Sequence, residues 1–414
     1  MTVALLKYYE RNQQKSQTKF MKTGYSIRTW RMRLVCPEPI WLDRTEEYFQ
    51  NVVEFYYHLL RQHEELWNSS LFDIQRSLEL LTLTGRDGRQ PTNPLPMGKV
   101  PVYLRRAAIN KASATVKSTQ ELQSGFPEKL EAKVTFFKGM YSDLTDRSIC
   151  LKLWNGEKWI WTDCNLKGRP LPQDGQLMSP TLVKEGRRYL LNIPVKQENS
   201  DARTAKERMA EGTNLCSVRF TNTDTFAVCC ILDEQGKQLA VHNCRGGDAY
   251  RHRCKLLETR IQKSRPNTVG DNSPQPNRKY YMHLKNLSEH YAHQVSREIL
   301  NFCKENQAGI IVLPDYDQNF TRMAMVKSGN FSPLHLSSKI RTNLQYKAWA
   351  EGILVLETRT DGLKDKCAIC GGRVRRKGNE FLCENGHQGN RFLNDARNLG
   401  RKCQDSFFRV SRTK

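Results

Sequence analysis

Hydrophobic and polar positions change their period several times along the chain, and each change marks a new element. Over Ser26–Cys36 (SIRTWRMRLVC) basic and apolar residues alternate, the period of a strand with one face open to phosphates; Pro37 and Pro39 end it. From Trp41 to Trp67 the spacing is helical, with Tyr48, Val52, Phe55, Tyr56, Leu59 and Leu60 on one face. Glu46, Glu47, Arg61 and Glu64 occupy the other. A second helix is predicted over Asp73–Leu81, and the Gly- and Pro-punctuated stretch 84–101 reads as a loop. The helix predicted over 101–123 carries Arg105, Arg106, Lys111 and Lys117 beside small residues that permit close approach of a nucleic-acid strand. These four are the candidate phosphate contacts; ordinary helix packing is the plain alternative.

From Lys133 to Val195 the pattern becomes strand-like, over 133–140, 148–166 and 187–196, with Asn155-Gly156 as a hairpin turn. Phe136, Phe137, Trp154, Trp159 and Trp161 interleave with Lys138 and Lys158, which suits stacking on single-stranded nucleic acid or, equally, the core of a small barrel. Residues 197–213 are polar and predict a domain boundary, with the linker proper at 201–213. Beyond it come two or three strands within 217–243 turning at Asp233–Gly236, a basic helix Tyr250–Lys263, a polar loop, a long helix Lys285–Asn306 and the strand Ile310–Pro314. That alternation predicts an α/β domain with a mixed sheet.

Charge narrows the function. Lys and Arg number 66 against 43 Asp and Glu, a formal charge of +23, while 38% hydrophobic residues suffice for packed interiors. Positive charge on folded domains is what a polyanion partner requires, and a wholly disordered polycation is excluded. There is no apolar run of about 18 residues and no leader at Met1, so no membrane span and a cytoplasmic setting are expected. Most of the thirteen cysteines, among them Cys36, Cys150, Cys216, Cys229 and Cys303, sit singly in strand-like or helix-like runs and read as reduced small hydrophobes.

One group has ligand spacing. Cys367-Ala-Ile-Cys370 is followed by Gly371-Gly372, a basic stretch, Phe381, and Cys383-Glu-Asn-Gly-His387. A CxxC turning on glycine presents two thiolates to a tetrahedral ion, and a second knuckle must complete four ligands. Cys367, Cys370, Cys383 and His387 are therefore the candidate site for structural Zn2+, with a water or Cys403 as substitutes for His387. So short and polar a ribbon needs metal to fold, a contribution of roughly 10 kcal/mol or more.

The Leu-Asp-Glu-Gln-Gly turn, Leu344-Gln-Tyr-Lys-Ala-Trp-Ala-Glu-Gly-Ile-Leu, the cysteine knuckles and Asn394-Asp-Ala-Arg-Asn-Leu together resemble the transposon-encoded TnpB proteins and the compact type V CRISPR effectors. The resemblance covers about 214–400, is specific at the ribbon and at the Asn394 segment, and is only architectural in the first half. It implies a multidomain α+β protein: an N-terminal OB-like wedge β-barrel with an inserted helical recognition lobe, then an RNase H-like RuvC α/β domain with an inserted zinc ribbon. The divisions expected are 1–40 (tail and first wedge strand), 41–128 (recognition lobe), 129–200 (wedge barrel), 201–213 (linker), 214–360 (RuvC-like), 361–390 (ribbon) and 391–414 (final helix and tail).

RuvC chemistry needs three carboxylates around two divalent ions about 3.5–4 Å apart. At the positions where the family carries them, this chain has Arg219 or Phe220, then Pro314 (followed by Asp315), then Phe392, five residues after His387 and two before Asn394. None offers an oxygen to a hard cation, and Arg219 would repel it. The resemblance thus implies a nuclease-inactive member with no catalytic residues. Guide RNA and target double-stranded DNA beside a short flanking motif are its expected partners, with repression, or recruitment of a transposition or transcription protein, as the outcome. A lobe this short is compatible with one copy or a homodimer per RNA, in a bacterial or mobile-element, nucleoid-associated setting. One alternative is an active endonuclease using displaced acids, Asp224, Asp315 or Asp317, and Asp395. Against it, Asp315 points away from the face of residue 314, and Asp395 is rotated about 300° from 392. The other is a guide-independent, zinc-containing DNA-binding regulator.

Overall fold

The computed structural model describes residues 24–85, 87–122, 125–199, 201, 203–264, 277–316 and 332–411, with side chains to 407. The polar N-terminal stretch, most of the loop after Lys263, and Asp317 lie outside them. Two compact units divide the described residues, Ile27–Gln197 and a second formed by residues 24–26 with those from Glu198 onward.

In the first unit β1 (Tyr25–Val35) alternates as its sequence predicts: Trp30, Met32 and Leu34 are buried, Arg31 and Arg33 exposed. It is joined by β2 (Tyr141–Ser142), β3 (Ser148–Trp154), β4 (Trp159–Lys167), β5 (Gln176–Leu177), β6 (Thr181–Glu185) and β7 (Arg188–Glu198). The strand order is β2-β3-β4-β1-β7-β5, with β6 also on β7. Between β1 and β2 are inserted α1 (Pro39–Gln62), α2 (Leu71–Thr82) and α3 (Val102–Glu121). Phe49, Val53 and Tyr56 of α1 share one core with Met32, Leu151 and Leu191 of the sheet. Residues 133–140 do not form the expected strand. Val134 and Phe136 are buried, but pairing stops at single bridges of Thr135 to Thr181 and Lys138 to Tyr141, where Gly139 turns with φ 95°. The β3–β4 loop is longer than two residues: Trp154 pairs with Trp159, and Asn155 Oδ1 accepts the N–H groups of Glu157 and Lys158.

The second unit is a three-layer sandwich. Its sheet, β8 (Asn214–Phe220), β9 (Ala227–Leu232), β10 (Gln238–Cys244), β11 (Ala308–Asp315) and β12 (Leu354–Arg359), runs in the order β10-β9-β8-β11-β12. The first three strands are an antiparallel meander, and β11 lies parallel to both β8 and β12. Cys216, Val218, Ile311 and Leu313 face α5 (Gly247–Lys263), α6 (Arg278–Glu305) and α7 (Ser337–Trp349). Leu215, Ile310, Val312 and Leu356 face α4 (Ala205–Ala210) and α8 (Arg391–Ser411). Helix α8 comes close because residue 400 is glycine: a Cβ there would stand 2.5 Å from Leu232 and 3.0 Å from Leu215. Before α8 comes a three-stranded ribbon, β13 (Val374–Lys377), β14 (Glu380–Cys383) and β15 (Gln388–Asn390).

Within the expected linker 201–213 lies the short helix α4. Thr204 and Glu207 form a capping box for α4, and Arg208 is fully buried, donating to the carbonyls of Asp201, Arg203, Gly309 and Gly352. A six-residue helix shows no readable period, and its anchor is a charged residue.

Candidate functional site

The two knuckles are shaped by glycine. Gly371 (φ 76°) returns its N–H to the carbonyl of Cys367, and Gly386 (φ 82°) does the same to Cys383. This brings Cys367, Cys370, Cys383 and His387 together, their ligand atoms all within 4.8 Å of one another. The Sγ atoms of Cys370 and Cys383 are 3.4 Å apart. An Asn385 amide and the Gly372 backbone hold the Cys370 thiol down at about 6, a thiolate at neutral pH. His387 Nδ1 is buried without a hydrogen-bond partner. Three sulfurs and an orphaned imidazole nitrogen fit a tetrahedral ion such as zinc. Cys403 is not among them; it is buried on α8, its thiol pushed up to about 12 by burial. Asn394 explains the segment that follows: it accepts from Ala368 N (2.7 Å) and donates to Lys366 O (2.8 Å), tying the first knuckle to α8.

At the end of the sheet, Val312 pairs with Ser217 across β11 and β8, so Pro314 and Arg219 are neighbours on the α8 face. Arg219 Nε lies 3.4 Å from Asp395 Oδ2, and Arg219 Nη1 donates to Tyr316 Oη at 2.6 Å. Arg376 of β13 holds Asp395 Oδ1 at 2.5 Å. Phe392 is buried under the Arg391 guanidinium, 4.6 Å from the ring centroid. Asp395, about 300° forward and so about 60° back from Phe392 on α8, stands beside it and reaches the face of Arg219. Asp315 is exposed and alternates to the other face, where Arg341 lies 3.4 Å from Glu357 and donates to Pro314 O. Burial and the charge of Asp315 push the Glu357 carboxyl up, against Arg341. Asp224 is engaged elsewhere, accepting Asp248 N at the start of α5. Among the described residues, groups of three or more metal-type ligands occur at two places, the ribbon and His242–Cys244–Glu298; Asp224, Asp315 and Asp395 form none. Nothing in the sequence flagged Arg376, Arg341 or Tyr316, because their relation to the sheet end is purely tertiary.

The four basic candidates divide. Arg105 is buried and spent on Glu79 of α2, with Nη2 at 3.0 Å, which corrects its assignment as a phosphate contact; an acid facing it on the next helix made it structural. Arg106 shares Glu79 from a half-exposed position, and Lys117 donates to Ser69 O at 2.9 Å. Lys111 is exposed. Of the interleaved aromatics, Phe136 is core, and Trp154 and Trp159 pack on Tyr48 with centroids 5.0 and 5.2 Å away. Trp161 is 46% exposed, with Lys152 Nζ 5.7 Å above its ring. Among the described residues no helix is long and apolar enough to cross a membrane.

The Aq_aa04 family profile matches residues 26–155. No curated protein matches the sequence. Among solved structures, the Cas12f1 chain of a complex with sgRNA and target DNA aligns with a TM-score of 0.54 at 12% identity, over 91% of this chain and 99% of that one. The mini-RNA-guided endonuclease CRISPR-Cas phi3 aligns with a TM-score of 0.51 at 9% identity, over 95% and 97%. At such identities the likeness establishes the fold: a multidomain α+β architecture of the compact Cas12-like effector type.

Proposed function

We propose that the chain is an RNA-guided, double-stranded-DNA-binding protein of the TnpB-like, type V kind that holds its target without cutting it. The observation that carries the absence of cutting is the Arg219–Asp395 contact: a guanidinium is paired with the acid that, among the described residues, reaches the α8 face of the sheet end. A cation fixed 3.4 Å from that carboxylate opposes entry of a divalent ion. The strand order and directions of the second unit agree with an RNase H-like, RuvC-type domain, and the Cys3His knuckles with an inserted structural zinc ribbon. The sheet and inserted helices of the first unit agree with an OB-like wedge and a recognition lobe.

Bound but uncut DNA leads to repression by occlusion or to recruitment of a transposition or transcription partner, in a cytoplasmic, nucleoid-associated setting. An endonuclease built from Asp224, Asp315 and Asp395 is disfavoured, because one caps a helix, one faces the opposite side and one is held by two arginines.

The test is to purify the chain with its native RNA and offer a matched plasmid with magnesium. Guide-dependent retention of intact plasmid is expected. Magnesium-dependent nicking that disappears in Asp395→Asn would establish the endonuclease instead, and a purified protein free of RNA that still binds DNA would establish a guide-independent regulator.

A further inference from the structure

We infer that the arginine cluster at the α8 side of the sheet end is an anion seat that holds one phosphodiester of the bound DNA directly, with no divalent ion between them. This rests on the DNA-binding function proposed above and adds the atoms that perform part of it.

Three guanidiniums, Arg219 on β8, Arg376 on β13 and Arg391 at the start of α8, are gathered around one carboxylate, Asp395. Asp395 is 5% exposed and Arg219 13%, so solvent screens little of their charge. Arg391 feels all of them: burial and repulsion from Arg376 and Arg219 push its guanidinium down, opposed by Asp395 alone. Three cations against one anion leave a positive excess, and buried charge is costly unless paired. On the other face of the strand ends, Arg341 is matched by Glu357 and by the nearby Asp315.

Hydrogen bonding points the same way. Arg391 Nε is buried and donates to nothing, whereas Arg219 Nε faces Asp395 and Arg376 is satisfied by Lys364 O and Asp395. A buried guanidinium donor without an acceptor, set among like charges, is one that a further anion would satisfy. A phosphodiester supplies a single negative charge and two non-bridging oxygens spaced for guanidinium forks. Tyr316, whose hydroxyl takes Arg219 Nη1, holds that guanidinium in place.

The experiment measures binding of matched duplex DNA to the RNA-loaded full chain in magnesium-free buffer without chelator, over a range of salt concentrations, for wild type, Arg391→Gln and Arg391→Lys. Wild type is expected to bind as tightly without magnesium as with it. Arg391→Gln should bind roughly tenfold more weakly, with a log–log salt slope smaller by about 1, the signature of one lost phosphate contact. Arg391→Lys should keep the slope, because charge is retained, and lose part of the affinity. Equal affinity and slope for Arg391→Gln and wild type, at equal thermal stability, overturn the seat, as does wild-type binding that requires magnesium. Failure of wild type to bind matched DNA under any of these conditions overturns the DNA-binding function itself, a separate result.

Discussion

Arg219 of β8 and Asp395 of α8 meet across the face of a mixed sheet, Nε to Oδ2 at 3.4 Å, both largely withdrawn from water. The acid is also held by Arg376 at 2.5 Å, so it is the common anion of two guanidiniums.

Removing that anion should be expensive. Asp395→Ala leaves Arg219 and Arg376 facing each other without compensation, and breaking a buried pair by deleting one partner costs about 3–5 kcal/mol. A large fall in melting temperature is expected for Asp395→Ala, with part of it recovered in the double variant Arg219→Met, Asp395→Leu, which removes the need at Arg219 but still leaves Arg376 without its carboxylate. Calorimetry of the three proteins checks this; an Asp395→Ala chain as stable as wild type would mean the carboxylate is not structurally engaged.

Much of the framework was legible in the sequence, for reasons particular residues make plain. The alternation of Trp30, Arg31, Met32 and Arg33 fixed β1, because period two has no helical solution. The CxxC on glycine and the Cys–His knuckle were legible because metal ligands must sit at fixed local offsets. Features that depend on remote partners were not. Arg105 looked like a phosphate contact until Glu79 appeared opposite it, and Arg208 gave no sign of being a core residue. Asp395 was discounted on helix rotation, although residues three apart on a helix are neighbours.

The Arg208 anchor gives a prediction with a pH signature. Arg208→Ala should cost about 3–5 kcal/mol, because it removes one donor set from four carbonyls at once. Asp201 is held down at about 2, from an ordinary 3.8, chiefly by the Arg203 guanidinium and also by Arg208. A carboxyl depressed in the folded state contributes stability that is complete above its ordinary value and disappears as pH falls towards about 2. Urea midpoints for Asp201→Asn should therefore be flatter than wild type between pH 3.8 and about 2, and lower than wild type at neutral pH. Parallel curves for the two proteins would contradict the assignment.

Arg105 and Lys111, six residues apart on α3, should behave oppositely. Arg105→Ala leaves Glu79 to Arg106 alone and empties a buried space, so thermal stability should fall while the salt slope of nucleic-acid binding stays as it was. Lys111→Ala removes an exposed charge. Its stability should be unchanged, with the slope lowered by about 1 where the lysine meets a phosphate. Salt titrations and melting curves on both variants separate a packing arginine from a steering lysine, and a slope change in Arg105→Ala would put that arginine on a phosphate.

The ribbon offers the last test, because its ligand cluster and its docking are linked through one asparagine. Asn394 holds both Ala368 N and Lys366 O, so ordering of the Cys367 knuckle and of the first turns of α8 is shared. Cys383→Ser should lower bound zinc from one ion per chain to none, since a hydroxyl is a poor substitute for a thiolate in a tetrahedral sulfur-rich site. Hydrogen exchange should then accelerate over 366–390 and at the start of α8, while β8, β9 and β11, whose bonds are to each other, keep their protection. Acid should release the metal from wild type as protons compete for thiolates such as Cys370, which ionises near 6 without a bound ion. Asn394→Ala is the discriminating partner: it should retain the ion, because all four ligands remain, yet show the same faster exchange at the start of α8. If that variant lost its zinc instead, the asparagine would be supporting the ligands themselves and not the junction between ribbon and helix.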